Sequence, residues 1–406
     1  MELIKPDVNI NFVGQRFKAF ILSGLLILAT VVSLLLHGGP NLGIDFAGGI
    51  LVQVRFSEST DAGAIKKALE PIGMGQSLVQ SFGGEGQKEF LIRDENQGLK
   101  LQGLSDRVRK TLAATYGQDK VEVRRVEMVG PKVGADLREK ALLAIFYAIL
   151  LIVVYISGRF EHKWGLAAIM AAVLVGATLL VEALITAAGD QEGGGIVWLI
   201  ITSLVVTVGL CWLLKLRYAL GAIVALIHDV VITVGVFSLL DKEFTLATVA
   251  ALLTIIGYSL NDTIIVYDRI RENLKRAGRQ EDLGRTINSS VNQTLSRTIL
   301  TSGTTLVVLL SLYILGGGVI QDFALALLIG VVVGTYSSVF VASPILLLLP
   351  EGTTVLTRRR SRAAAPARPA APAPAPEPAV PVSPAKQASA RKRKGKKKSS
   401  RKRRKR

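Results

Sequence analysis

The sequence predicts a polytopic α-helical membrane protein with one α+β domain outside the bilayer. Three observations predict it. Half of the 406 residues are hydrophobic, a share that places the chain among integral membrane proteins rather than soluble ones. Eight apolar runs reach the roughly 20 residues that a bilayer-spanning helix needs, at about 17–36, 139–157, 164–187, 196–214, 218–239, 244–267, 298–315 and 320–349. Between the first two runs lies a polar segment, 37–138, in which strand and helix patterns alternate.

Residues 1–36 read as a cytoplasmic N-terminus and first span. Arg16 and Lys18 precede the apolar run and no A-x-A site follows it, so it is expected to stay as an uncleaved anchor. Residues 37–138 then form the external domain. "ILVQVRF" reads as a strand, and "TDAGAIKKALEPIG" as a helix capped by Thr60 or Asp61. "SLVQSF" and "KEFLIRD" are strands flanking a "GGEGQ" hairpin turn. "LKLQGLSDRVRKTLAATYG" is an amphipathic helix stopped by Gly117, and "KVEVRRVEMV" is a last strand. The order β-α-β-β-α-β is that of a ferredoxin-like unit.

The second span, 139–160, returns to "SGRFEHK", where Arg159 and Lys163 mark the cytoplasmic face. Residues 161–216 form a hairpin of two further spans that turns outside at "GDQEGGG" and comes back to Lys215 and Arg217. Residues 217–349 form a four-helix core whose cytoplasmic loop, 268–296, is rich in Arg and Lys. Every inner loop is basic, which puts both termini in the cytoplasm.

The net charge of +18 is confined to one place. Residues 351–406 hold 19 Lys/Arg against Glu351 and Glu377, so this segment carries +17 and the other 350 residues +1. Residues 350–406 read as a disordered tail, Ala/Pro-rich and then basic. Such a tail suits anionic lipid headgroups or a ribosome, or is simply a solvated end that reinforces orientation. Cys211 is the sole cysteine and lies in an apolar run, which excludes an intrachain disulfide and reads as apolar filler.

The informative residues are polar ones inside the spans. Asp262 lies five residues before Tyr267 in an apolar run, with Asn261 beside it and Tyr258 one turn earlier. A carboxylate there costs about 2.5–3.5 kcal/mol on insertion scales. Arg297 opens the next span, with Thr301, Thr304 and Thr305 on one stripe of that helix. The two spans run antiparallel, so Asp262 and Arg297 fall at similar depth. Asp229 is near the middle of its span with Thr233 one turn on, while His228 is expected to point to another side as a packed polar residue. Glu182 reads as structural. Gly330, Gly334, Ser338 and Ala342, at four-residue steps, form a small-residue seam for close helix approach. Ionisable groups inside a bundle mark a proton or ion relay. No P-loop, H-E-x-x-H or G-x-S-x-G is present, so ATP hydrolysis and intramembrane hydrolysis are unsupported, and neither cofactor nor metal is expected.

"GIDFAGG" after the first span, "HDV", "GYSLNDTIIVYDRIREN", "NQTLSRTILTSGTTL" and "LLIGVVVGTYSSVFVASP" together resemble the SecD/SecF family of the bacterial Sec preprotein translocase, within the RND superfamily, on its SecF side. The resemblance implies a proton-driven accessory subunit in the inner membrane. It implies pairing with a SecD-like subunit, assistance to the SecYEG channel late in export, and an outer domain that touches the emerging unfolded preprotein. It also implies that Asp262 and Arg297 are the proton-coupling pair and that Gly43, Asp45, Gly48 and Gly49 are the outer-domain motif; Asp229, too deep in its span to reach water, reads from its position alone as a functional or interhelical partner and joins them as a proton-coupling candidate. The family has six spans; here about 55 residues, His162 to Leu216, add two. The rival readings are a small-solute exporter of the same superfamily, whose outer domains are usually larger and paired, and a membrane scaffold, which gives no reason for buried charges.

Overall fold

The computed structural model describes residues 9–58, 60–82, 88–94, 103–187, 194–277 and 282–349. The expected "GGEGQ" turn, the turn of the inserted hairpin and the tail 350–406 lie outside the described residues.

Helix α1 (Arg16–Leu36) leads into a short helix α2 (Ile44–Ala47), for which the sequence reading, whose first strand starts at Ile50, offers no element. The chain then runs β1 (Gly49–Phe56), α3 (Ala62–Leu69), β2 (Leu78–Phe82), β3 (Glu89–Asp94), α4 (Leu104–Tyr116) and β4 (Val121–Val129). The order is the expected one. The sheet is antiparallel throughout, with strand order β2-β3-β1-β4. Ile50, Val52, Val54 and Phe56 alternate inward along β1 and are buried, the period-two pattern that identified the strand. They pack against Ile65 and Leu69 of α3 and against Leu104, Val108 and Leu112 of α4, a stripe at helical spacing. Asp61, rather than Thr60, caps α3 by accepting the Gly63 N–H at 2.9 Å; the Thr60 hydroxyl donates to Tyr116 instead. Helix α4 begins after Gly103, whose φ is 74°; residues 99–102 of the expected helix lie outside the described residues.

Six helices among the described residues are long and apolar enough to cross a membrane. They are α1, α5 (Pro131–Glu161), α8 (Arg217–Leu239), α9 (Leu246–Ala277), α10 (Leu283–Leu315) and the run that begins with α11 (Gly318–Ser337). The inserted segment folds as two helices, α6 (Trp164–Ala187) and α7 (Gly194–Leu213), whose described apolar stretches are shorter, Trp164–Gly176 and Ile200–Leu213. Two boundaries differ from the sequence reading. Helix α5 starts at Pro131, not near 139, because Pro at the first helical position follows directly on Gly130. The segment 268–296, expected as a loop, is mostly helix: α9 continues to Ala277, and α10 starts at Leu283 with Asp282 as N-cap. Polar residues beyond the apolar run end the span without ending the helix.

The most apolar stretch of α8 is 67% buried, against 17% for α10 and 22% for α1. Helix α8 is therefore the centre of the bundle, and α1 and α10 present apolar flanks outward. Helix α11 ends in a π-helical stretch, Ser338–Ala342, a form that recurs at functional sites. The Ala342 carbonyl there accepts from buried Tyr267 at 3.1 Å.

The sheet domain is fastened to the bundle by the "GIDFAGG" segment. Gly43 N–H donates to the Phe244 carbonyl at 2.7 Å, and Phe244 N–H to that of Asn41 at 2.7 Å. The Asp45 carboxylate accepts the N–H of Leu246, the first residue of α9, at 2.9 Å. Gly48 has φ 76° and its Cα side faces Pro131, where an added Cβ would sit 3.0 Å from the proline Cα; Gly49, φ 115°, continues the turn into β1. Glycine fits both positions because L side chains avoid that backbone region.

Glu243 sits at the same joint, 3.9 Å from Arg93 of β3. Burial pushes its carboxyl above the ordinary range; Arg93 opposes this, and Asp322, Asp241 and Asp45 add to it. The folded joint thus favours protonated Glu243 more than the unfolded chain does. Its contribution to stability is fully present below the unfolded pKa of about 4.3 and is lost as pH rises through the folded value. Protease cleavage of the 240–245 loop should therefore become easier from pH 4 upward. Glu243→Gln should flatten that pH dependence; an unchanged profile in the variant would assign it to another group.

Candidate functional site within the helix bundle

Among the described residues Asp229 is the most completely enclosed carboxylate of the bundle, with 0% exposure at the middle of α8. Its Oδ2 accepts from Ser259 of α9 at 2.5 Å and from Ser337 of α11 at 2.8 Å. Its Oδ1 lies 2.9 Å from Nδ1 of His228. This corrects the expectation that His228 turns away as mere packing. The ring leans onto its neighbour's carboxylate, its Nε2 reaches Ser23 of α1 at 3.0 Å, and its face stacks on Tyr336. Ser23 lies 3.2 Å from the Tyr336 hydroxyl, which donates to the Ala19 carbonyl at 2.7 Å. A polar thread thus joins α1, α8, α9 and α11. Thr233 sits outside it and bonds back to the Asp229 carbonyl.

Asp262 forms a second station three residues beyond Ser259 and hence on the same face of α9. It is 1% exposed. Its Oδ2 accepts from Ser302 of α10 at 3.4 Å, and Ser302 lies 2.7 Å from Thr335 of α11. Arg297 is on the exposed side of α10 and forms no ion pair with Asp262 among the described residues, although its charge acts on that carboxylate. Asn261 is exposed. Tyr258 donates to Thr305 at 3.3 Å, and Thr301 bonds back to the carbonyls of Arg297 and Thr298. The structure therefore seats Asp262 among hydroxyls rather than against its expected cation. The side chain of Glu182 lies outside the described residues.

The small-residue seam lets α11 touch α9 directly behind these groups. A Cβ on Gly330 would overlap the Ile255 side chain, and one on Gly334 would lie 2.9 Å from the Ser259 Cβ. Gly334 thus permits the approach that brings Ser259 and Ser337 to one carboxylate oxygen. Ser338, buried, bonds to the Thr335 carbonyl at 3.0 Å. Gly330→Ala should lose about 1–3 kcal/mol by overpacking, whereas Gly303→Ala, with nothing within 4 Å, should be near neutral. Thermal melts of the two variants in one detergent measure the difference.

Sequence reading missed the serines. Ser259, Ser302 and Ser337 look like small packing residues; the one signal was the place of Ser259, one turn before Asp262 on α9, while Ser302 on α10 and Ser337 on α11 carried none.

Enclosed carboxylates in an apolar bundle, joined to a sheet domain, define a polytopic membrane protein with ionisable groups in its core, the marker of ion and substrate pathways. Comparison with known proteins gives the family. The model described as protein export membrane protein SecD/SecF, C-terminal, matches residues 108–188 and 187–352, and that of the SecD/SecF GG motif matches 33–60. The chain is 45% identical over 370 residues to protein translocase subunit SecF of Magnetococcus marinus, covering 90% of this chain and 99% of that one. It is 40% identical over 342 residues to the SecF subunit of Desulfurispirillum indicum, covering 83% and 90%. The crystal structure of SecDF, a translocon-associated membrane protein from Thermus thermophilus, is similar with TM-score 0.61 and 30% identity, covering 85% of this chain but 39% of that longer one. The chain belongs to the SecD/SecF family, on its SecF branch.

Proposed function

We propose that this chain is a proton-motive-force-coupled accessory subunit of Sec protein export, acting late in translocation with a SecD-like subunit and the SecYEG channel on an unfolded preprotein. The observation that carries the coupling is Asp262, a carboxylate 1% exposed inside an apolar bundle and held by a hydroxyl at 3.4 Å rather than by a cation at ion-pair distance. A carboxylate held loosely in this way is able to bind and release a proton. Protonation removes its attraction to Arg297 and so biases α10 against α9. The outer domain moves with α1 and α5, between which it is strung, and pulls on the emerging chain.

Six candidate spans and the two inserted helices support an eight-span reading, with both termini in the cytoplasm on the positive-inside pattern. The β-α-β-β-α-β order with strand order β2-β3-β1-β4 supports a ferredoxin-like external domain. The basic tail is read as a modulatory contact to anionic lipid or ribosome. The test is translocation of a secretory protein into membrane vesicles with and without this chain, each with the proton gradient intact or collapsed. The chain should add a gradient-dependent increment to export; equal export with and without it would overturn the proposal. Co-purification from a tagged copy should bring down a SecD-like protein and the channel.

A further inference from the structure

Ser302 and Thr335 each own one hydroxyl proton, and a hydroxyl donates only once. Three contacts compete for these protons: Ser302 to Asp262 at 3.4 Å, Ser302 to Thr335 at 2.7 Å, and Thr335 to the Val331 carbonyl at 2.7 Å. With Asp262 ionised, Ser302 donates to the carboxylate, Thr335 must donate to Ser302, and Val331 loses its hydroxyl donor. With Asp262 protonated, a third proton enters the chain. Asp262 then donates to Ser302, Ser302 to Thr335, and Thr335 to the Val331 carbonyl. Both states are consistent, and they run in opposite directions.

We propose that Ser302 and Thr335 are positioning residues that transmit the protonation state of Asp262 from α9 through α10 to α11, by reversing the direction of one hydrogen-bond chain. The inference rests on the reading that Asp262 carries the coupling proton. The proton that arrives on Asp262 is the only one added; the hydroxyl protons reorient and none is transferred. The far end of the chain is well placed to respond. Val331 is one residue beyond Gly330, where α11 touches Ile255, and Thr335 precedes Ser337, which holds Asp229. A bond gained or lost at Val331 therefore acts on the part of α11 that packs closest to α9.

The charged and titratable groups facing this chain are few. Helix α10 contributes Arg297. Helix α8 contributes Asp229 and His228, which reach α9 through Ser259. On α9 itself Tyr258 turns to Thr305, and on α11 Tyr336 turns to α1. From α5, Arg159 is paired with Asp268 at 2.6 Å and Glu161 accepts the Tyr218 N–H.

The experiment measures gradient-stimulated export in vesicles that hold the full chain and its partners, across a range of pH, with a thermal melt of each purified variant. Ser302→Ala should lower the gradient-stimulated component at least about tenfold, the scale of one hydrogen bond to a charged group, and displace the pH midpoint of that component. Thr335→Val should do the same. Ser302→Thr and Thr335→Ser keep the hydroxyl and should restore both readouts. If Ser302→Ala melts early, Ser302→Cys, of similar volume but with a weak donor, takes its place. A parental gradient response and pH midpoint in Ser302→Ala or Ser302→Cys, in membranes where Asp262→Asn is inactive, overturns the hydroxyl chain and leaves the proton reading standing. A parental response in Asp262→Asn overturns the proton reading itself.

Discussion

Replacing Asp262 by Asn should remove the gradient-dependent increment of export while the protein stays folded and assembled. Asn has the same shape and keeps an oxygen for the Ser302 hydroxyl at its 3.4 Å contact, so packing and the local hydrogen bond survive. What disappears is the ability to change charge. Asp262→Glu should keep part of the increment, because a carboxylate remains but is displaced by one methylene in a position that is 1% exposed. Export rates in vesicles with and without a gradient measure both variants, and a melting temperature close to the parent's distinguishes lost coupling from lost fold. If Asp262→Asn follows the gradient as the parent does, the carboxylate is structural and Asp229 is the next residue to replace.

Asp229→Ala should be the more damaging change to the fold. Ser259, Ser337 and His228 all point at that one carboxylate. Each polar group left buried without a partner costs about 1–3 kcal/mol, and a new void behind α8 adds to the loss. Asp229→Asn retains an acceptor oxygen and fills the space, so it should lie between Ala and the parent. Melting temperature and the yield of monodisperse protein in detergent measure the series. A melt of Asp229→Ala equal to the parent's would mean that the serines find other acceptors and that the cluster contributes little to the bundle.

The legible part of the molecule was the part written in periodicity. The alternation Ile50, Val52, Val54, Phe56 gave β1 and its inward face, and the spacing Leu104, Val108, Leu112 gave α4. Charges inside apolar runs drew attention to Asp229 and Asp262, because nothing else in those runs competes for it. Pairings across helices were not legible. Successive residues on an ideal helix point about 100° apart, which argued that His228 and Asp229 face different ways; the imidazole is long enough to turn back on its neighbour. The hydroxyls were hidden because Ser and Thr serve equally as small packing residues in membrane helices. Helix ends were misjudged wherever hydrophobicity stopped before hydrogen bonding did, as in α9 beyond Tyr267 and α10 before Thr298. The "GIDFAGG" motif stood out as a string of letters, but its use as a fastening to Phe244, Leu246 and Pro131 needs contacts more than 80 residues away in the chain.

That fastening has a mechanical consequence. Helix α9 is gripped at its first residue by Asp45, and it carries Ser259 and Asp262 partway along its 32 residues. At 1.5 Å per residue, the distance from Leu246 to Asp262 is about 24 Å. A stiff rod of that length, tilted by roughly 5° about the level of Asp262, swings its tip by about 2 Å. The tip is not free to swing alone, because Asp45 and the strand-like bridge between Leu42 and Phe244 tether it to the loop that leads into β1. A tilt of α9 about the level of Asp262 would thus be felt chiefly at its far tip, where the joint to the sheet domain holds it.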